Sequence, residues 1–199
     1  MIRIRTSSST VILAVVIAAL SSFCLAEPQT WQIDPNHTAA QFSVKHLGIS
    51  TVRGQFDKAS GTVSFDPSDP TKASIEATID ANTVNTRVQM RDNDLRSPHF
   101  FEVEKYPTIT FKSTRAESAG TGKLKVTGDL TLHGVMKQVV LDVDTSSQSI
   151  TDPMGKGLRM GANATTKINR NDFGITTMPG VVGDEIQIVI DIELTRPTT

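Results

Sequence analysis

The sequence predicts an all-β fold, an extended antiparallel β-barrel of about eight strands with a short helical insert capping one end. Three observations lead there. Beyond residue 30 the chain alternates apolar and polar side chains with period two almost throughout, as half-buried strands do. Turn-forming residues punctuate that alternation at short intervals. One stretch, residues 90–111, breaks the pattern and reads MRDNDLRSPHFFEVEKYPTITF. An open sheet of this size would leave two templating edges and a bare apolar face, and there are too few helices to cover that face. Closing the sheet on itself removes both problems and leaves room for one ligand. A two-sheet sandwich is the competing solution. The insert favours the barrel, because it is available to close a mouth.

The elements follow in order. Trp31-Gln32-Ile33 opens the first strand and Asp34-Pro35-Asn36 turns it. Ala40, Phe42, Val44 and His46 face one way, against Gln41, Ser43 and Lys45. Val52, Gly54 and Phe56 continue the apolar side, and Val63 and Phe65 lead into the turn Asp66-Pro67-Ser68-Asp69-Pro70. Ala73, Ile75, Ala77 and Ile79 form the next inward row. In the insert, Thr86 and Gln89 have capping-box spacing, and Val88, Met90, Arg91 and Leu95 suit a short helix. Ser97-Pro98 halts it or starts another turn. Ile109 and Phe111 resume the strands, followed by Leu124, Val126, Leu130 and Leu132. His133-Gly134 makes a tight hairpin into Val135, Val139, Leu141 and Val143. Residues 151–157 read as a loop. The row Leu158, Met160, Ala162, Ala164 and Ile168 is smallest in its middle, so tryptophan at Ala162 or Ala164 is expected to block an interior ligand. Ile186, Ile188, Ile190, Ile192 and Leu194 form the last and most regular row.

Residues 1–26 read as a cleaved export signal: Arg3 and Arg5, an apolar run over residues 11–20, then Cys24-Leu25-Ala26 before the cleavage point. The run is too short to span a bilayer. Residues 27–199 then fit a single exported domain, and a periplasmic location is expected. The sole cysteine, Cys24, falls inside the signal, and Phe23 before it does not suit lipoprotein processing. The expected mature chain has no disulfide, no thiol nucleophile and no cysteine-ligated metal. With 20 basic and 21 acidic residues and no Lys/Arg stripe, the chain offers nucleic acid no electrostatic footprint.

The candidate ligand-binding residues are Phe42, Val44, His46, Phe56, Phe65, Ile75, Phe111, Met160 and Ala162 on the inward rows, Arg91, Phe100 and Phe101 in the insert, and Phe173. For the inward aromatics the alternative is a solid core, as in small filled barrels. His46 is either a satisfied core histidine or a contact to a ligand's polar end. Arg91 and Arg96, beside Asp92 and Asp94, either grip a headgroup or belong to a solvated helix face with local ion pairs. Residues 169–174 line a mouth or form a hairpin loop anchored by Phe173. The four histidines include no i,i+4 pair and no His-x-His, so no metal and no cofactor is expected. The chain lacks a Gly-x-Ser-x-Gly elbow and a glycine-rich phosphate loop. An exported hydrolase or metal-dependent enzyme using the same cavity is therefore the alternative to a binding protein.

Several blocks also resemble a known family. They are Ile33-Asp34-Pro35-Asn36-His37, Phe42-Ser43-Val44-Lys45-His46, Val52-Arg53-Gly54-Gln55-Phe56, Arg91-Asp92-Asn93-Asp94-Leu95-Arg96-Ser97 with Phe100-Phe101, and Tyr106-Pro107-Thr108-Ile109-Thr110-Phe111. The segments Thr127-Gly128-Asp129-Leu130-Thr131-Leu132-His133-Gly134-Val135 and Arg170-Asn171-Asp172-Phe173-Gly174 complete the set. Together they resemble the YceI-like family over essentially all of the expected mature chain. The resemblance implies an extended lipocalin-like barrel in the periplasm, holding a polyisoprenoid, an isoprenoid quinone or a similar amphiphile. It also implies a link to stress response and transient contact with a membrane or a cytochrome b561-type membrane protein. Separately, a dimer is the expected oligomer. The family supplies no agreed catalytic residues, so none are assigned.

Overall fold

Every strand of the fold belongs to one antiparallel sheet, and that sheet closes on itself. The computed structural model describes residues 29–66, 68–145 and 148–197; the expected signal peptide lies outside them. The strands are β1 (Gln29–Ile33), β2 (Ala39–His46), β3 (Ser50–Phe56), β4 (Ala59–Phe65), β5 (Ser74–Asp80), β6 (Val84–Asn85), β7 (Thr108–Gly120), β8 (Lys123–Leu132), β9 (Val135–Thr145), β10 (Ile150–Thr151), β11 (Leu158–Asn169) and β12 (Val182–Arg196). Eight of them, in the order β1-β4-β5-β7-β8-β9-β11-β12, form a ring that the β12–β1 pairing shuts. The lipocalin-like barrel expected from the sequence is the fold observed.

The length of β12 shapes the rest. Its C-terminal end pairs with β1 at Leu194 and Thr195, while Val182 to Asp191 pair with β2. The β2–β3 hairpin and the short β6 therefore extend from β12 beyond the ring. Helix α1 (Gln89–Arg96) follows β6 directly. The β8–β9 turn is tight as expected, with φ of 52° at His133 and 73° at Gly134. Two successive positive φ values match the twist of the flanking strands.

The interior is packed in three clusters. Trp31, Ile33, Val63, Phe65 and Leu194 fill the end where β1 closes the ring. Leu124, Val126, Leu141, Val143 and Ala164 pack above them. At the opposite end Phe56, Val84, Phe100, Val103, Phe173 and Ile175 gather under the insert. The helix starts differently from the expected capping box. Val88 is its N-cap, in extended conformation and without a side-chain cap. Arg87, at φ 64°, turns the chain so that Thr86 cannot cap. Instead the Thr86 amide and hydroxyl both donate to Asp92 Oδ1, at 2.8 and 2.5 Å, and Asp92 is buried.

Candidate functional site

Between the plugged end and the packed end the barrel is hollow. A cavity of about 200 Å³ is lined by Phe42, Val44 and Phe56, by the inward rows of β5, β7 and β8, and by Leu95, Phe100 and Phe101 of the insert. Ile186, Ile188, Ile190 and Ile192 run along one wall. At ~3.4 Å per residue that row follows about 20 Å of strand. Each of these isoleucines points inward yet keeps intermediate exposure, which is what an unfilled interior produces. The volume is small for its length, so the space suits a slender chain better than a bulky ring system.

Two glycines help keep it open. A Cβ on Gly54 would lie 2.4 Å from the Phe42 ring, and one on Gly128 would lie 2.4 Å from the Phe111 ring. Each phenylalanine thus sits against the wall where a glycine leaves room, and not across the lumen. The aromatic wall continues into the insert. Phe42 meets Phe56 with ring centroids 5.7 Å apart, and Phe56 meets Phe101 at 5.5 Å.

The insert is pinned by charged groups. Arg91 donates through Nε to Thr86 Oγ1 at 2.8 Å and through a terminal nitrogen to the Thr86 carbonyl at 2.9 Å. Arg96 donates to the carbonyls of Asn82 and Val84 at 2.7 and 2.8 Å. His133 Nδ1 lies 3.1 Å from the Phe173 carbonyl, which can only accept, so that nitrogen carries the proton. Its Nε2 faces Glu102 of the insert at 3.5 Å, and Tyr106 packs edge-on against the imidazole at 4.8 Å. Among the lining residues, Arg170 is buried and spends its guanidinium on the carbonyls of Ile175, Thr177, Val182 and Gly183 and on Asp184.

A polar cluster braces the packed end. Arg159 donates to Asp34 and Asp152 at 3.0 Å each and to Glu193. Hydrogen bonds from His37, then the Asn36 amide, then Arg159 hold the Asp34 carboxyl at about 2. The same carboxylates hold the Arg159 guanidinium above its ordinary range, Glu193 most strongly. Asp34, His37 and Glu193 approach one another closely enough to share a cation, but Arg159 already engages both carboxylates. A second hollow, a groove of about 540 Å³ lined by His37, Arg159, Met160, Ala162 and Asp191, runs beside this cluster. It is larger than the interior cavity but polar and more open to solvent, so it offers a chain of CH₂ groups less burial.

Of the residues singled out in the sequence, Phe42, Val44, Phe56, Ile75, Phe100, Phe101 and Phe111 line the interior cavity. The remainder lie elsewhere. His46 ends β2, paired with Ser50 and Val182, and is itself outside the lining, which Val182 joins. Phe65 is buried in the cluster around Trp31. Arg91 ties down Thr86 and is not part of the lining. Met160 and Ala162 border the polar groove. Phe173 is 1% exposed, an anchor beneath the insert. Ala164 is packed among Leu141 and Val143, so tryptophan there would disrupt the core instead of plugging the cavity. Sequence reasoning missed the structural role of Arg170 and the whole Arg159 cluster. The Asp34-Pro35-Asn36-His37 turn was the available signal for the latter.

A model of the YceI-like domain matches residues 31–194. The chain belongs to the YceI-like family. A UPF0312 protein of Vibrio cholerae is 37% identical over 170 residues, covering 84% of this chain and 89% of the relative. Protein YceI of Salmonella arizonae is 40% identical over 157 residues, covering 79% and 81%. Among solved structures, Burkholderia cenocepacia BcnA superposes with a TM-score of 0.73 at 25% identity, over 81% of this chain and 98% of that one. The Campylobacter jejuni YceI protein gives 0.69 at 35% identity, over 77% and 90%. A polyisoprenoid binding domain from Saccharophagus degradans gives 0.64 at 18% identity, over 84% and 98%, a likeness of fold.

Proposed function

We propose that this YceI-like barrel is a periplasmic binding protein that sequesters or carries a long apolar chain, a polyisoprenoid, an isoprenoid quinone or a similar amphiphile. The observation that carries the reading is the hollow interior, walled by isoleucines and phenylalanines. Support comes from the fold it has in common with a domain described as polyisoprenoid binding, and from the export signal expected over residues 1–26. The cavity residues named above bind by burial and shape. Arg170, engaged with five acceptors, holds the surrounding loop and leaves no free donor for a headgroup. The role is storage or transport, not turnover. The stress-response link, the cytochrome b561-type partner and the dimer remain part of the same proposal.

Energetics set the ligand's scale. Micromolar binding needs about 8 kcal/mol net, and association itself costs roughly 4–15 kcal/mol. At ~0.8 kcal/mol per buried CH₂, about 15 buried carbons meet the lower end of that requirement, a chain that takes more than the roughly 200 Å³ of the interior, so the walls must part to admit it. Organic extraction of the protein purified from its own host, followed by mass spectrometry, tests the reading. A stoichiometric apolar chain of that size supports it. An extract without lipid, together with turnover of a chromogenic ester that a chelator or serine reagent abolishes, would establish an enzyme instead.

A further inference from the structure

The rim of the plugged end presents apolar side chains to solvent from three separate segments. Leu47 and Ile49 form the tip of the β2–β3 hairpin, and Ile49 is 84% exposed. The Leu47 amide donates to the Val181 carbonyl at 2.7 Å, which draws the loop bearing the exposed Met178 against that tip. On the hairpin's other side, β6 runs antiparallel to β3 and carries the chain from Asn85 towards exposed Val88 and Met90, the latter 82% exposed.

The charge around these residues has one sign. Lys45, Arg53 and Arg87 are exposed, and among the described residues none has a carboxylate within ion-pair distance. Residues 45–53, 86–91 and 175–182 contain no Asp or Glu, in a chain whose net charge is −1. Asp184, just beyond, is committed to Arg170 at 3.1 Å. The tip is also continuous with the cavity wall. Val44 and Val182 line the cavity, and Val182 pairs with His46 immediately before Leu47. An exposed apolar cluster fringed by unpaired cations is complementary to a surface with acyl chains beneath anionic headgroups.

We propose that this rim docks on an anionic lipid surface. Leu47 and Ile49 enter the acyl region, with Val88, Met90 and Met178 beside them, while Lys45, Arg53 and Arg87 meet the headgroup phosphates. Docking here would place the end of the cavity wall against the membrane. The inference rests on the surface alone and is measurable whether or not the cavity holds a lipid.

The test is co-sedimentation of the chain, purified from its native host, with phosphatidylglycerol/phosphatidylcholine vesicles and with pure phosphatidylcholine vesicles, at low and high salt. The anionic vesicles should bind at least about tenfold more tightly, and salt should weaken that binding. The Leu47→Asp/Ile49→Asp double variant should lose about tenfold or more and Arg87→Glu a few-fold, in step with burial of the tip and screening of the cations. Met154→Asp, on an exposed residue of the loop at the packed end, should change nothing. Circular dichroism confirms that each variant is folded. Equal binding to both vesicle types, or an unaffected double variant, would overturn the proposal. A dimer that the double variant converts to monomer without any change in vesicle binding would overturn it too, and would assign the patch to self-association.

Discussion

Phe101, carried by the insert, packs on Phe56 of the barrel wall with ring centroids 5.5 Å apart and planes inclined at 58°. Phe56 in turn meets Phe42, so the plug completes a wall that the strands begin. The plug is therefore part of the cavity's lining as well as its cover. Phe101→Ala is expected to destabilise the fold by about 2–4 kcal/mol, since it removes the half-buried side chain's packing together with the ~0.5–1.5 kcal/mol that a tilted aromatic pair contributes beyond its area. The melting temperature should fall by several degrees. The larger effect should be on retention, with a fluorescent long-chain probe leaving several-fold faster than from the wild type. Unchanged release would mean the plug does not cover the exit.

Gly54 and Gly128 separate wall sterics from backbone strain, since neither has a positive φ. At Gly54 the clash is with side chains, the Phe42 ring and the Thr86 methyl. Gly54→Ala should therefore fold, at a cost of about 1–3 kcal/mol, with Phe42 pushed into the lumen and long-chain affinity reduced. At Gly128 a Cβ would also lie 2.6 Å from the Lys112 carbonyl oxygen. Backbone cannot yield as a ring can, so Gly128→Ala should be the less stable of the two in a urea titration. The reverse order would contradict the account of how the wall is built.

Blocking the cavity needs a position at the right height. Ile188 lines it and keeps intermediate exposure, whereas Ala164 is 3% exposed within a packed cluster. Ile188→Trp should preserve the far-ultraviolet circular dichroism and abolish probe binding. Ala164→Trp should lower the melting temperature sharply through overpacking, by about 1–3 kcal/mol or more. If Ile188→Trp binds the probe like the wild type, the site lies elsewhere.

The strand rows were legible because alternation reports directly which face a side chain occupies; Ile186 to Leu194 follow it without a break. Alternation does not report height along the barrel axis. His46, Phe65, Met160 and Ala162 stand on the expected rows but beyond one end of the cavity or the other, where the hairpin rim, the Trp31 cluster or the polar groove receives them. The capping-box spacing at Thr86 misled for a local reason, the positive φ at Arg87. The partners of Arg170 and Arg159 are backbone carbonyls and carboxylates brought close only by the closed sheet, such as Asp34, 125 residues away in sequence from Arg159. No local pattern encodes such a meeting.

The brace at the packed end predicts acid sensitivity. Asp34 has its carboxyl held at about 2, below the ordinary value of 3.8, mainly by the His37 hydrogen bond. A depressed carboxyl stabilises the fold fully above its unfolded value and loses that contribution as pH falls through the folded one. The wild type should therefore lose on the order of 1 kcal/mol between about pH 4 and pH 2 from this group, after allowing for solvent screening. Asp34→Asn should already lack it at neutral pH and show a shallower acid decline in urea titrations. Parallel profiles for the two proteins would remove Asp34 from the brace.

The central claim is that the inward side chains leave a channel that a slender apolar chain fills. Crystals of the protein purified from its own host test it most directly. The account predicts continuous tubular density along Ile186, Ile188, Ile190 and Ile192, ending beneath Phe100 and Phe101. Density in which those side chains meet across the axis and close the space would contradict it.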